Sequence, residues 1–333
     1  MLIFGIWGGS GEFDPAMLLL LAMAFEAYLG RPDLLHRLTG RLDARAGAFA
    51  RWAEARLNRP NRPAYDRAIR GLVIALVALV AALGLGLLVA WVSALHPFGW
   101  VVELVLLTQL LNQRGPVRAL TPLSGLADRD LDGARRVVGS LSPRDRALLD
   151  AYGVRRAALE YLAESYGREA LQPLFWYALF GMPGLLAAVT LRELDKVLGF
   201  ETPAQRAFGF AAARLQDAVG FLPVRLSGLL LILAALPTPH GHPAGALKTL
   251  LGDAGHHRRF NLGWPVAALA GGLGVALWGP RRLARATLPE RWIGSGTAKV
   301  TEEHLAAGLY LYRVGIILAF ALVAAFAVIR LSA

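Results

Sequence analysis

The chain has 333 residues, 56% of them hydrophobic, and a mean hydropathy of +0.47, which is too apolar for an ordinary soluble domain. Its formal net charge of +11 comes almost wholly from arginine, since Lys196, Lys248 and Lys299 are its only lysines. With no cysteine, disulfides and thiolate chemistry are excluded. A basic balance in so apolar a chain fits a lipid bilayer with anionic headgroups, not nucleic acid, as its partner.

The N-terminus, MLIFGIWGGSGEFDPAM, lacks the basic n-region and small-residue cleavage site of a signal peptide, so the first apolar run is expected to stay. Ala16 to Leu29 reads as an apolar helix, short for a span, interrupted by Glu26 and ended by Gly30 and Pro32. Arg31 to Arg70 is dense in arginine. Its Leu42, Ala46, Phe49, Ala50 and Ala53 recur at three- and four-residue steps, which predicts an amphipathic helix on the headgroups. The positive-inside bias places it in the cytoplasm, and Asn58 to Pro63 breaks it.

Gly71 to Trp91 carries no charge and, at about 1.5 Å per residue, is long enough to cross a hydrocarbon core of roughly 30 Å. His96 to Trp100 makes a turn, and Val101 to Leu111 returns as a shorter helix. The polar stretch Asn112 to Tyr166 reads as soluble helices broken at Gly115-Pro116, Thr121-Pro122 and Ser142-Pro143, with Ser142 as a cap and Pro143 in a first turn. Leu171 to Leu191 is split by Gly181-Met182-Pro183-Gly184, which suggests a helical hairpin or re-entrant element.

Phe221 to Leu236 is a short apolar run. Leu262 to Trp278 is rich in small residues, with Gly271, Gly272 and Gly274 permitting close helix packing. A basic loop from Pro280 to Lys299 leads to a last span, Ala306 to Leu331, with Arg313 and Arg330 placed to snorkel. Strand patterning is nearly absent. The expected fold is an all-α integral membrane protein, one domain over 1–333, with transmembrane and re-entrant helices and cytoplasmic amphipathic helices. Its three consecutive parts are 1–111, 112–226 and 227–333.

Ionisable groups interleaved with lipid-like sequence are costly unless they pair or line a wet cavity, so the segment from Arg144 to Leu226 suggests a polar site at the membrane surface. Glu160 and Glu164 are four residues apart on one helix face. They suit metal binding or acid–base work, or ion pairing with Arg155, Arg156 and Arg168. Arg144-Asp145, Arg192 to Lys196, and Arg214 with Asp217 and Arg225 could hold phosphate bidentately or anchor helix ends at the interface. His240, His242, His256 and His257 lie among prolines and glycines and are read without a partner acid, so they count as loop histidines and not metal ligands. Gly271-Gly272-Leu273-Gly274 does not follow a strand, and no Walker-type motif is present.

Together these motifs resemble the CobD/CbiB family of membrane proteins of cobalamin biosynthesis. The resemblance rests on Arg144-Asp145, RAALEYLAES, Pro173 to Trp176, Leu194-Asp195 with Gly199, Ala213-Arg214 with Asp217, and Leu222-Pro223 with Arg225-Leu226. It continues more weakly through Asn261, Gly263-Trp264, Gly279-Pro280 and Trp292 to Gly294, and begins at Leu29-Gly30 with Pro32. It implies an adenosylcobinamide-phosphate synthase of the bacterial inner membrane, with its polar central segment in the cytoplasm. The implied reaction is ATP-dependent amide formation between adenosylcobyric acid, a corrinoid, and an aminopropanol or its phosphate, alongside other cobalamin-pathway enzymes. On that resemblance Glu160, Glu164, Asp195 and Asp217 are the catalytic candidates, with Glu164 and Asp217 as Mg²⁺ ligands. Arg144, Asp145, Arg214 and Arg225 are the candidates for phosphate or substrate carboxylate.

The chain departs from the family pattern at several polar positions. Asn after Ala163-Glu164 is Ser165, an acid and glycine are Arg168 and Glu169, and Asn-Thr is Arg192-Glu193. Lys196 replaces a serine, Gln216 one of two aspartates, Gly220 an asparagine, and Arg31 the aspartate of the opening motif. Such changes also suit a non-catalytic relative, AmpE-like or corrinoid-binding, and broken helices with internal charge would suit a small transporter.

Overall fold

The computed structural model describes residues 13–30, 42–142, 144–199, 203–283 and 286–332. Arg31, Pro32 and Pro143 lie outside them. In chain order the helices are α1 (Pro15–Leu29), α2 (Leu42–Leu57), α3 (Ala64–Ala94), α4 (Gly99–Leu110), α5 (Gly115–Leu120), α6 (Leu126–Arg129) and α7 (Leu131–Gly139). Next come α8 (Ala151–Ser165), a π-helical turn (Tyr166–Leu171), α9 (Gln172–Leu198), α10 (Pro203–Phe208), α11 (Phe210–Ala234), α12 (Pro243–Asp253) and α13 (Gly263–Leu273). Four strands of two or three residues, β1 (Leu277–Trp278), β2 (Arg281–Leu283), β3 (Ala286–Leu288) and β4 (Trp292–Ile293), precede α14 (Glu302–Ser332). β1 pairs antiparallel with β4, and β2 with β3.

Four helical stretches are long and apolar enough to cross a membrane: α3, the run Ala151–Leu198, α11 and α14. Outward-facing Val73, Val77, Val80 and Leu88 on α3, and Ile317, Val328 and Ile329 on α14, give these helices the apolar surface that lipid solvates. The protein is therefore an all-α integral membrane protein.

Two compact units divide the chain, one drawn from 1–112, 172–220 and 323–333, the other from 113–171 and 221–322. The central stretch 112–226 expected as one part contributes to both.

In the first unit, Ala50 and Ala53 of α2 are fully buried with Ile74, Ala75 and Ala78 of α3 and Leu194 and Leu198 of α9. The apolar stripe of α2 thus packs on protein, where the sequence had suggested headgroups alone, because two alanines let the helix approach closely. Leu171 to Leu191 folds back on itself, as its glycine–proline split suggested. A single non-helical residue, Gly181 (φ 62°, ψ −149°), separates two limbs of α9, and a Cβ at Gly184 would lie 2.4 Å from the Trp176 carbonyl oxygen, a contact that a continuous helix cannot make. Arg330 does not snorkel alone: it pairs with Asp14 at 3.1 Å, and Asp14 also caps α1 through the Ala16 N–H.

Close helix packing in this unit depends on two glycines. A Cβ at Gly71 would lie 1.8 Å from the Phe208 carbonyl oxygen, and one at Gly86 would lie 2.4 Å from the Pro183 Cα. Gly84, two residues away, has open space around it. Gly86→Val should therefore lower the unfolding temperature in detergent by the equivalent of about 1–3 kcal/mol, whereas Gly84→Ala should hold or raise it. Equal losses at both positions would contradict this packing.

In the second unit no helix starts at Ser142. Asp145 instead caps a 3₁₀ turn at Arg146–Leu148, and α8 begins at Ala151, where Asp150 accepts from the Gly153 N–H at 2.6 Å. The small-residue helix α13 stops at Leu273, short of Trp278, because Gly274 takes a left-handed conformation (φ 63°) and releases the chain into β1. The run expected from Phe221 begins earlier, at Phe210. The Arg214–Asp217 pair hides the polar turns that lengthen α11 to 25 residues.

Candidate functional site

Helix α8 carries Arg156, Glu160 and Glu164 at four-residue intervals, on one stripe. Arg156 donates to the Ala298 carbonyl at 2.7 Å, and its guanidinium lies over the Trp292 ring. On the adjoining stripe Arg155 pairs with Asp128 and Glu302. These contacts fix the helix from both sides.

Glu160 is buried and receives Arg144 at both carboxylate oxygens, each 2.8 Å from Nη2, with Nε 3.2 Å from Oε2. The Trp278 N–H also donates to Glu160 Oε1 at 2.7 Å, and the Trp278 carbonyl accepts from Arg144 Nη2 at 2.8 Å. Trp278 has φ 66°, a conformation that a bulky residue adopts only when its surroundings hold it. The pair therefore braces a strained strand against α8. A carboxylate shielded and charge-matched in this way suits bracing better than proton transfer.

One turn further on, Glu164 is partly open, with 29% of its side chain exposed, while His257 behind it is fully buried. His257 Nε2 lies 3.4 Å from Glu164 Oε1. Its Nδ1 lies 3.0 Å from both the amide and the carbonyl of Arg259, so that nitrogen has a partner whether it accepts or donates. The imidazole also packs on Trp278, ring centroids 3.7 Å apart. Arg168 and Arg259 are near enough to act electrostatically on Glu164. Immediately after it comes the π-helical turn, a local departure that recurs at functional sites. There Tyr166 donates to the Gly315 carbonyl at 2.6 Å, and Gly167 lies close against Val224 and Ser227.

The second unit thus brings together Arg144 with Glu160, links Glu164 to His257, and also contains Asp145 and Arg225. Asp195, Arg214 and Asp217 belong to the first unit. There Asp195 is buried, and Arg214 pairs with Asp217 at 3.0 Å near the surface. Two of the family departures are satisfied locally. Gln216 exchanges amide hydrogen bonds with the buried Gln172 at 3.1 and 2.8 Å, and Arg192 pairs with Glu193 at 3.1 Å.

Sequence reasoning missed His257 and Trp278. His257 does have an acid partner, but Glu164 is 93 residues upstream, so no local spacing could reveal it. His256 likewise faces Asp253 at 3.8 Å. These are pairs: among the described residues no three His, Cys, Asp or Glu side chains gather as a metal cluster. The residues fit a Mg²⁺ that arrives on nucleotide phosphates and needs one or two carboxylates, not an ion caged by protein alone. Glu164 in the second unit and Asp217 in the first each expose nearly three-tenths of the side chain.

Fold and site define an all-α integral membrane protein in which a buried Arg–Glu brace supports a half-open carboxylate backed by histidine. The family described as CobD/Cbib protein matches residues 19–312. The chain belongs to the CobD/CbiB family. It is 36% identical over 301 residues to the cobalamin biosynthesis protein CobD of Sinorhizobium sp, covering 89% of this chain and 93% of that one. It is 35% identical to the protein of that name from Rhodobacter capsulatus (90% and 93% covered) and 34% identical to that of Brucella suis (82% and 84% covered). No solved structure matches it significantly.

Proposed function

We propose that the protein is an adenosylcobinamide-phosphate synthase of a bacterial inner membrane, its polar central segment facing the cytoplasm. It joins the carboxylate of adenosylcobyric acid to aminopropanol or its phosphate in an ATP-driven amide synthesis. ATP activates the carboxylate, the amine nitrogen attacks the activated carbonyl carbon, and the phosphate-bearing group leaves as the C–N bond forms. One proton must then leave the amine nitrogen. Glu164 takes it, and buried His257 holds that carboxylate in position. Mg²⁺, when bound with the nucleotide, would neutralise phosphate charge, and Asp217 of the first unit is the candidate carboxylate for it. Arg214, exposed beside Asp217, is the candidate for phosphate there.

Glu164 carries this reading: a half-open carboxylate backed by a buried imidazole, on a chain that matches CobD relatives over about nine-tenths of its length. A bacterium lacking its own CobD tests it. Expression of this chain should restore cobalamin production from adenosylcobyric acid, and His257→Ala should lower it about tenfold or more through the misplaced carboxylate. No restoration by protein present in the membrane would contradict the proposal. One observation favours a second reading, a corrinoid-binding or AmpE-like relative without turnover. The Gln172–Gln216 and Arg192–Glu193 contacts satisfy locally what the family pattern leaves as short polar groups. Corrinoid binding without restoration would be its mark.

A further inference from the structure

Arg225 lies on α11, a helix long and apolar enough to cross a membrane, where a lone guanidinium is costly. Its charge is not cancelled: among the described residues no carboxylate pairs with it, and its acceptors are the neutral Phe221 carbonyl (2.9 Å) and Asn261 Oδ1 (2.8 Å). Both bonds come from the same nitrogen, Nη1. A guanidinium has five N–H groups, so the Nε and Nη2 hydrogens are left, on a residue that is partly exposed. Three rings surround the group, with its central carbon 3.7 Å from the Phe221 centroid, 4.9 Å from Trp264 and 5.1 Å from Phe260.

We propose that Arg225 is a preorganised seat for an anionic group, a phosphate or carboxylate, which docks side-on against the Nε–Nη2 edge within the cage of Phe221, Phe260 and Trp264. The Nε–Nη2 edge is the fork that matches two oxygens of such a group. The rings limit competing water and hold the fork still, so little side-chain freedom is lost on binding. The same chemistry suits a soluble organic phosphate and a lipid headgroup. The seat does not depend on amide-forming turnover.

The test uses the full chain without ATP or corrinoid. Phenyl phosphate is titrated calorimetrically into protein in detergent, and phosphatidylglycerol retained from nanodiscs is counted by native mass spectrometry. Arg225→Lys keeps the charge and removes the fork, and should weaken whichever ligand is bound about tenfold. Phe260→Ala, at a half-exposed ring, should weaken it by a smaller factor without unfolding the protein. Loss of phenyl phosphate affinity assigns the seat to a soluble ligand, and loss of retained phosphatidylglycerol assigns it to a headgroup. The proposal is overturned if the wild type binds neither probe. It is also overturned if both variants bind as the wild type does.

Discussion

Glu164→Gln should reduce amide formation by about 10²- to 10⁴-fold, the usual worth of a positioned acid–base group, while corrinoid binding and the unfolding temperature stay close to those of the wild type. The amide keeps the shape and can still accept from His257 Nε2, so packing on Trp278 survives and only the proton-accepting capacity goes. Asp at the same position shortens the reach by one methylene and should recover part of the rate. Rates for purified variants beside the wild type, at saturating ATP and corrinoid, check this directly. A Gln variant with undiminished kcat would remove Glu164 from the chemistry.

Glu160→Ala should have the largest effect on stability, about 3–5 kcal/mol, because it leaves the buried Arg144 guanidinium without its carboxylate. It also strips the Trp278 N–H of its acceptor at a residue already held at positive φ. Replacing both partners, Arg144→Met with Glu160→Leu, removes both charges together and should lose less than either single change. Denaturant unfolding of the three variants in detergent would show whether the pair acts as a unit. Additive losses would mean that Arg144 and Glu160 act separately.

The sequence made the long elements legible because hydrophobicity over a span-length window is a strong local signal. α3 and α14 stand close to where long apolar runs place them, and the stripe through Ala46, Phe49, Ala50 and Ala53 marks the buried face of α2. Boundaries set by a single competing residue were not legible. Asp150 outcompetes Ser142 as a helix cap, and the left-handed Gly274 ends α13 before Trp278. The site itself was half visible. Four-residue spacing pointed to Glu160 and Glu164, yet nothing local separates a carboxylate locked on Arg144 from one left open beside His257. That distinction comes from Trp278, whose backbone braces one acid and whose ring supports the partner of the other. Its positive φ arises only where β1 meets β4.

The most direct test of the account is product formation by the purified chain in nanodiscs, supplied with ATP, Mg²⁺, adenosylcobyric acid and aminopropanol phosphate and read by mass spectrometry. The account predicts the amide, formed with ATP consumption and suppressed by Glu164→Gln. Folded protein that binds the corrinoid but yields neither amide nor ATP consumption would contradict it.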